Sequence, residues 1–432
     1  MSVAAHDPGA SPEAAGARPA VPAEAARPAL PDPSRAAVPA RRHLPPPILA
    51  GPLPPPVCGH TLSFQMLVQE LGRQGVPCRV VDLALGSDQR VGAVTPRRLA
   101  GYAVALARFL GLAAGRRTTV YLTISQSRAG FPRDSVMIHF ARLFGHRVVL
   151  HLRGGNYDGF YAAQPRPLRA LVRATLRRAD RILVLGERLR PVFGFEPAVA
   201  GRIAVVPNGL PEADEPAAQA KTLPDSGPVR LLYLSSLIES KGYLDVLAAV
   251  ALLRDRLGDD GVRCAFHGPF MVSRDDARVR SAAHGRALFD SFVAEHGLEG
   301  IVRWHGLTTG AAKRAALDEA HIFLLPTAYE NEGQPVAIIE AMAYGCPVVS
   351  TDFRAIPELV DHGVTGLLVP YGDAGAIADA VEGLARDPRR YAGMSRAAVE
   401  RFRARFTRAR HLERLLPEIL GGAPVPAGPP AP

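Results

Sequence analysis

Two carboxylates eight positions apart, Glu332 and Glu340, flank the start of an apolar run in HIFLLPTAYENEGQPVAIIEAMAYGCPVVS, residues 321–350. Glu332 lies in a polar loop with Gly333, Gln334 and Pro335, where backbone N–H groups and the positive end of a helix suit a bound phosphate. Glu340 is the one charge on a helix that is otherwise apolar from Val336 to Tyr344. A helix without a polar face is enclosed by protein, and an enclosed carboxylate is costly unless something hydrogen-bonds it. Lys241 ends a second loop, after the apolar run Leu231–Leu234. Elsewhere His151 and Arg153 alternate onto one side of a strand, followed by Gly154, Gly155 and Asn156, and the glycines let a backbone approach a ligand closely. Structural readings stay open beside the ligand-binding one: Glu330 and Glu332 complement the helix dipole, Glu340 pairs with an arginine or a backbone N–H, and His151 and Arg153 are a core histidine and a surface arginine.

The elements that must hold these groups follow from periodicity and punctuation. Ile322–Leu325 reads as a buried strand, Pro335–Tyr344 as a helix and Pro347–Ser350 as a second strand, with Gly345 just past the helix and Pro347 beyond it. This is one βαβ unit, and ligands settle at the carboxyl edge of such parallel strands. Short apolar runs at Ile48–Ala50, Arg79–Leu83, Val120–Ser125, Arg147–Leu152, Ile182–Leu185 and Ile203–Val206 alternate with helix-length segments, which argues an α/β fold with parallel sheets wrapped on both faces. The expected organisation is an Ala/Pro-rich disordered start over residues 1–43, a first domain over 44–210 and a linker over 211–228. A second domain then covers 229–395, helices packing back towards the first domain cover 396–420, and a disordered tail covers 421–432.

Composition narrows the setting. The length of 432 residues suits two to three domains. Four cysteines, Cys58, Cys78, Cys264 and Cys346, lack disulfide or zinc-ligand spacing, as expected of reduced thiols in the cytoplasm. No run of 18 apolar residues occurs, so no membrane span is expected, and the start has no apolar core of a secretory signal. Residues 1–210 carry 27 arginines and no lysine against 12 carboxylates, whereas the remainder carries 24 basic against 29 acidic residues. A basic half implies a polyanion, such as an anionic membrane surface or a phosphorylated substrate, unless arginine merely decorates solvated faces. One helix, PRPLRALVRATLRRAD, places Arg169, Arg173 and Arg177 in a stripe that could lie on anionic lipid at the inner face of the membrane. No zinc finger, helix-turn-helix or aromatic RNA-binding signature accompanies the charge, so no nucleic acid is expected. His267 and His305, before glycines at two strand ends, are read as hydrogen-bonded structural histidines.

Glu332-x7-Glu340 within EGQPVAIIEAMAYGCPVV, followed by IPELVDHGVTGLLV, resembles the signature of glycosyltransferase family 4, retaining enzymes of the GT-B architecture. The likeness extends to Pro207-Asn208-Gly209 at the exit from the first domain and to Lys241-Gly242. The resemblance implies two Rossmann-like, doubly wound domains facing a cleft, with a nucleotide sugar on the second and a saccharide or lipid-linked acceptor on the first. It implies that Glu340 receives the ribose hydroxyls and that Glu332, with Gly333, Gln334 and Pro335, receives the sugar. Lys241 and the helix N-terminus would hold the diphosphate, with Ser236, Gly268 and Gly306 lining the donor side. Gly59, Gly154, Gly155 and Asn156 would face the acceptor. Ser236 stands where the family has a diphosphate-binding arginine, and Arg153, at the position of the family's histidine, is expected to compensate by reaching across the cleft beside His151. Cys58 replaces one glycine of a paired turn, and Arg354-Ala355 replaces a Gly-Gly. No Asp-x-Asp pair occurs, so neither a divalent metal nor a cofactor is implied. The alternative is a catalytically silent GT-B module that serves as a binding partner in a polysaccharide pathway.

Overall fold

A computed structural model describes residues 45–55, 57–84, 96–211 and 214–421. Of the disordered segments expected at 1–43 and 421–432, all but Gly421, which caps the last helix, lie outside the described residues. Among the described residues twelve strands form two six-stranded sheets, and every pairing is parallel. The first sheet contains β1 (Ile48–Gly51), β2 (Arg79–Asp82), β3 (Thr119–Ile124), β4 (Arg147–Leu152), β5 (Arg181–Val184) and β6 (Ile203–Val205) in the order β2-β1-β3-β4-β5-β6. The second contains β7 (Val229–Leu234), β8 (Val262–His267), β9 (Val302–Trp304), β10 (Ile322–Leu325), β11 (Val348–Thr351) and β12 (Gly366–Val369) in the order β12-β11-β10-β7-β8-β9. Both are doubly wound, and the order reverses between β1 and β3 in one and between β7 and β10 in the other. Ligands bind outside the strand ends at such switch points.

The expected strands form within a residue or two of their limits. β12 is not signalled by the sequence, because it opens on a glycine and offers only Leu367, Leu368 and Val369 as an apolar run. The glycine is required there: a Cβ on Gly366 would come within 2.2 Å of the Val348 carbonyl oxygen on β11. The helix Val336–Ala343 is enclosed as its composition demands, with Ile338 through Ala343 all buried.

Residues 214–228 are docked on the second sheet rather than strung between domains. Lys221 Nζ donates to the carbonyls of Leu317, Asp318 and Ala320, each at 2.7 Å, and so caps the end of the helix Gly310–Glu319. The helix Arg408–Leu420 follows the second domain in sequence but packs on the first. Its buried face of Leu412, Leu415, Leu416 and Ile419 joins Leu49, Phe64, Tyr121, Val149 and Leu183 in one core. Arg181 fixes it by a two-pronged bond, Nε and Nη2 each 2.9 Å from the Glu418 carboxylate. Where the chain passes out and back, Leu210 N donates to the Phe406 carbonyl at 3.3 Å. Leu415 is fully buried in this core. Leu415→Ala is therefore expected to destabilise the protein by about 3 kcal/mol, measured by urea denaturation.

Candidate functional site

The loops after β7 and β10 meet at the switch point of the second sheet and bring Lys241 and Glu332 together. Lys241 closes a short 3-10 turn, Glu239–Lys241, and the next residue, Gly242, has φ +78°. Only glycine fits there, since a Cβ would stand 2.3 Å from the Pro326 carbonyl oxygen. The turn is held from behind by Glu239, whose buried carboxylate accepts from Arg278 Nε and from the backbone N–H groups of Arg278 and Val279. Lys241 Nζ then lies 3.2 Å from Ser235 Oγ and 3.2 Å from Glu332 Oε2, over the Tyr329 ring. The contact with Glu332 is an ion pair outside hydrogen-bonding geometry, so Oε2 is buried without a hydrogen-bond donor. Gly333, Gln334 and Pro335 carry the chain from this pair into the enclosed helix.

Glu340 does not await a ligand in the way its isolation in the sequence predicts. Its Oε1 accepts from Lys313 Nζ at 2.6 Å, and Lys313 also lies 3.2 Å from Asp214. The structural reading of this carboxylate is the one realised, with a lysine in place of the arginine. Burial pushes the Glu340 carboxyl above its ordinary range, against the pull of Lys313. Burial would lower the Lys313 ammonium, but the two carboxylates around it outweigh that and hold it above its ordinary range.

Arg153 does not reach across the cleft. Its side chain turns back into the first domain, where Nη1 donates to Asn208 Oδ1 at 2.8 Å. Cations that do cross are Arg188, from the first domain, 2.6 Å from Asp352 of the second, and Arg354, from the second domain, which meets Asn156 Oδ1 at 3.3 Å and lies 3.9 Å from Asp158. Arg354 holds a left-handed backbone, φ +49°, at the position where the family has glycine. His151 is fully buried, with Nδ1 2.8 Å from the Tyr121 hydroxyl. Burial and then the Arg153 charge keep its ring well below the ordinary histidine range.

Two of the three glycines assigned to the acceptor side, Gly59 and Gly155, make room for the opposite domain. A Cβ on Gly155 would fall 2.0 Å from the Glu332 carbonyl oxygen, and one on Gly59 would meet Val336 Cγ2 at 2.8 Å. Gly155 N donates to the Asn331 carbonyl at 3.3 Å. Asn156 Nδ2 reaches Glu330 Oε2 at 3.2 Å, and Gly154 packs on the Gln126 side chain. Asn208, which the sequence marks only as part of a domain-exit turn, clasps Gln334 twice: its N–H donates to Oε1 at 2.6 Å and its Nδ2 to the backbone oxygen at 3.0 Å. Gly268 and Gly306 join strand ends within the second sheet, Gly268 N donating to the Gly306 carbonyl at 2.7 Å. A Cβ on Gly268 would collide with the Ser235 carbonyl oxygen beside Ser236, at 1.9 Å. His267 is hydrogen-bonded to Thr308 and stacked on His305, their centroids 4.4 Å apart. Burial, then the neighbouring His305, lowers it to about 4.

The arginine stripe of the helix Arg166–Leu176 and the residue after it is engaged within its own domain. Arg173 and Arg177 both pair with the buried Glu196, at 2.8 and 3.1 Å, and Arg169 Nε donates to the Gln164 carbonyl. Among the described residues no helix is long and apolar enough to cross a membrane, and no group of three His, Cys, Asp or Glu side chains could hold a metal ion.

Residues 228–387 match the family model described as glycosyl transferases group 1. The chain is 37% identical over 155 residues to the amylovoran biosynthesis glycosyltransferase AmsK of Erwinia amylovora, covering 35% of this chain and 34% of that protein. It is 34% identical over 131 residues to the phosphatidyl-myo-inositol mannosyltransferase of Mycobacterium leprae, covering 30% and 32%. The matched part thus spans about a third of the length of these relatives. Among solved structures, the sucrose-phosphate synthase of Thermosynechococcus elongatus superposes with a TM-score of 0.64 at 20% identity, covering 88% of this chain and all of that one. Anabaena HepE in complex with UDP superposes with a TM-score of 0.61 at 15% identity, covering 86% and 98%. The two facing sheets are therefore the GT-B fold.

Lys313→Ala would leave Glu340 buried without its cation, a loss of about 3–5 kcal/mol. A carboxyl whose folded pKa lies above its unfolded one binds its proton more tightly when folded. Its contribution is favourable below the unfolded value and is lost as pH rises through the folded one. The destabilisation of Lys313→Ala is thus expected to be larger at pH 8 than at pH 5, compared by urea denaturation of variant and wild type at both.

Proposed function

We propose that the protein transfers a sugar from a nucleotide sugar to a saccharide or lipid-linked acceptor, with retention at the anomeric carbon, a reading supported by the match of residues 228–387 to the glycosyl transferases group 1. The observation that carries this is the pairing of Lys241 with Glu332 at the switch point between β7 and β10, 3.2 Å apart, with a carboxylate oxygen left free of hydrogen bonds. In this reading Lys241 and the start of the helix Val336–Ala343 absorb the negative charge that grows on the departing diphosphate. Glu332 holds the transferred sugar by its hydroxyls. Preorganised contacts to developing charge are strong because they need no rearrangement as the bond breaks.

Support comes from the relatives. AmsK is named for biosynthesis of the polysaccharide amylovoran, and HepE has been solved with UDP and with UDP-glucose. We therefore assign the protein to polysaccharide or glycolipid synthesis. No metal is assigned a role, and Arg153 is not assigned to the donor diphosphate, because its side chain is directed into the first domain.

Lys241→Ala and Glu332→Ala are each expected to lower turnover about a hundredfold with far-ultraviolet circular dichroism unchanged, using the nucleotide sugar that gives the largest thermal shift. Wild-type rates in both variants would end the assignment. Turnover is expected to persist with a chelator, and its complete loss there would give a metal a part in the reaction.

A second reading is favoured by two observations: Ser236 supplies no charge to a diphosphate, and Lys313 already occupies Glu340. In it the protein is a silent GT-B module that binds a nucleotide or glycan without transfer. Nucleotide binding by the purified chain with neither hydrolysis nor transfer of any nucleotide sugar would select that reading.

A further inference from the structure

Three helices, Pro96–Ala113, Phe131–Leu143 and Arg166–Leu176, cover one face of the first sheet, with the second packed between the other two. Their outward side is not built as a solvated surface. Of the eleven large apolar side chains exposed among the described residues, five lie on this layer or one residue beyond it: Val104, Val136, Leu143, Phe144 and Leu171. Val104 is 69% exposed and Leu143 79%. Single exposed apolar residues are ordinary, but several gathered on one layer mark a surface that something covers.

The middle helix is turned inside out. Asp134 and Ser135 are buried, Asp134 accepting from the Ser125 backbone at 2.8 Å and Ser135 meeting the Thr175 hydroxyl at 2.9 Å. Val136 and Leu143, two turns apart and so on one side of the helix, face outward instead. Phe140, between them in sequence, packs on Phe144 with ring centroids 4.7 Å apart. A surface helix that faced only water would have these two sets of residues exchanged.

The charge around the apolar side chains indicates what covers them. Residues 96–117 and 166–178 contain no carboxylate, and residues 131–144 contain only the buried Asp134. Arg108 follows Val104 by one turn on the same exposed side. Arg117 lies beside Gly145, just past Phe144, where a Cβ would meet its Nε at 2.6 Å. Arg178 stands close enough to His139 of the middle helix for its charge, after burial, to hold that ring below its ordinary range. All three arginines are exposed and have no carboxylate partner among the described residues. A second copy of this chain docked through the same face would set guanidinium against guanidinium with no acid between them. Nucleic acid would satisfy the charge but not the aliphatic tips, since bases stack on aromatic rings. An anionic bilayer satisfies both.

We propose that the outer face of these three helices lies on an anionic membrane surface, with Val136, Leu143 and Phe144 sunk among the acyl chains and Arg108, Arg117 and Arg178 at the level of the lipid phosphates. Apolar insertion and attraction to phosphate add in such peripheral attachment, and a guanidinium grips phosphate by two parallel bonds. This surface differs from the stripe of Arg169, Arg173 and Arg177, of which the last two are committed to Glu196. It does not depend on the transferase reading.

The test is co-sedimentation of the full chain with vesicles of pure phosphatidylcholine or of equal parts phosphatidylcholine and phosphatidylglycerol. Binding to the anionic vesicles is expected to be at least tenfold tighter than to the neutral ones. Leu143→Asp, and separately Arg108→Gln combined with Arg178→Gln, are each expected to weaken it at least tenfold. Val364→Asp places the same new charge on an exposed valine of the second domain and is expected to change it less than twofold. Absence of binding to the anionic vesicles, or equal binding to both kinds, overturns the proposal. Undiminished binding by the two face variants, or an equal loss in Leu143→Asp and Val364→Asp, overturns it as well. Circular dichroism checks each variant, and the arginine pair decides the matter if Leu143→Asp does not fold. A dimer that Leu143→Asp dissolves, without vesicle binding, gives the face to a second copy, and retention on DNA that the arginine pair abolishes, without vesicle binding, gives it to nucleic acid; either result overturns the membrane assignment.

Discussion

The two domains of this protein meet at a joint where backbone packs on backbone, and the loops that carry the groups of the cleft are positioned there. Gly155 and Gly333 each lie against a carbonyl oxygen of the facing loop, of Glu332 and Arg153 respectively, at distances that exclude a Cβ. Main chain packed on main chain has no rotamers to adjust, so the loop that carries Glu332 and the strand end that carries Arg153 are fixed against each other. Side-chain contacts then decorate a joint already determined: Asn208 on Gln334, Gln126 on Asn331 and Arg354 on Asn156. Glycines at such strand ends are naturally read as space for a ligand. Here the space is taken by the other half of the molecule.

The buried acid of the apolar helix illustrates a different economy of charge. Glu340 could have been satisfied by a ligand or by the protein, and the protein satisfies it with a lysine that a second acid, Asp214, also holds. The likeness of the second domain to known transferases is therefore independent of any argument from an unpaired carboxylate. What distinguishes Glu332 is the opposite condition, an ion pair with Lys241 that leaves one oxygen without a hydrogen bond.

Much of the fold was legible because its signals are local. Parallel strands buried on both faces write themselves as short apolar runs, and the helix from Val336 to Ala343 is bracketed by Pro335 and Gly345. The site was legible as far as it lies within such units: Lys241, Glu332 and the loop to Pro335 were all expected at strand ends. What escaped depends on chain segments far apart. Arg153 was read as crossing the cleft because nothing in a strand's alternation says where a long side chain turns, and Asn208, which accepts from it, lies far along the chain. One signal was present and unused. The chain has three lysines among 51 basic residues, Lys221, Lys241 and Lys313. Each holds an interior polar position: a helix end, a facing carboxylate, and the space between two acids. In a sequence that otherwise uses arginine, the compact ammonium marks places where a fork would not fit.

The path of the chain between the sheets carries a mechanical consequence. It crosses outward after β6 and returns before the helix Arg408–Leu420, and the two crossings lie side by side, joined by the bond from Leu210 to Phe406. At Gly209 even a methyl group would strike His411 and the Thr407 carbonyl oxygen, at 2.6 and 2.8 Å. Two adjacent strands of polypeptide act as a strap: they bend readily about the line that joins them and resist torsion about any other. A paired crossing of this kind favours one axis of bending between the halves, the line from Leu210 to Phe406, over the others.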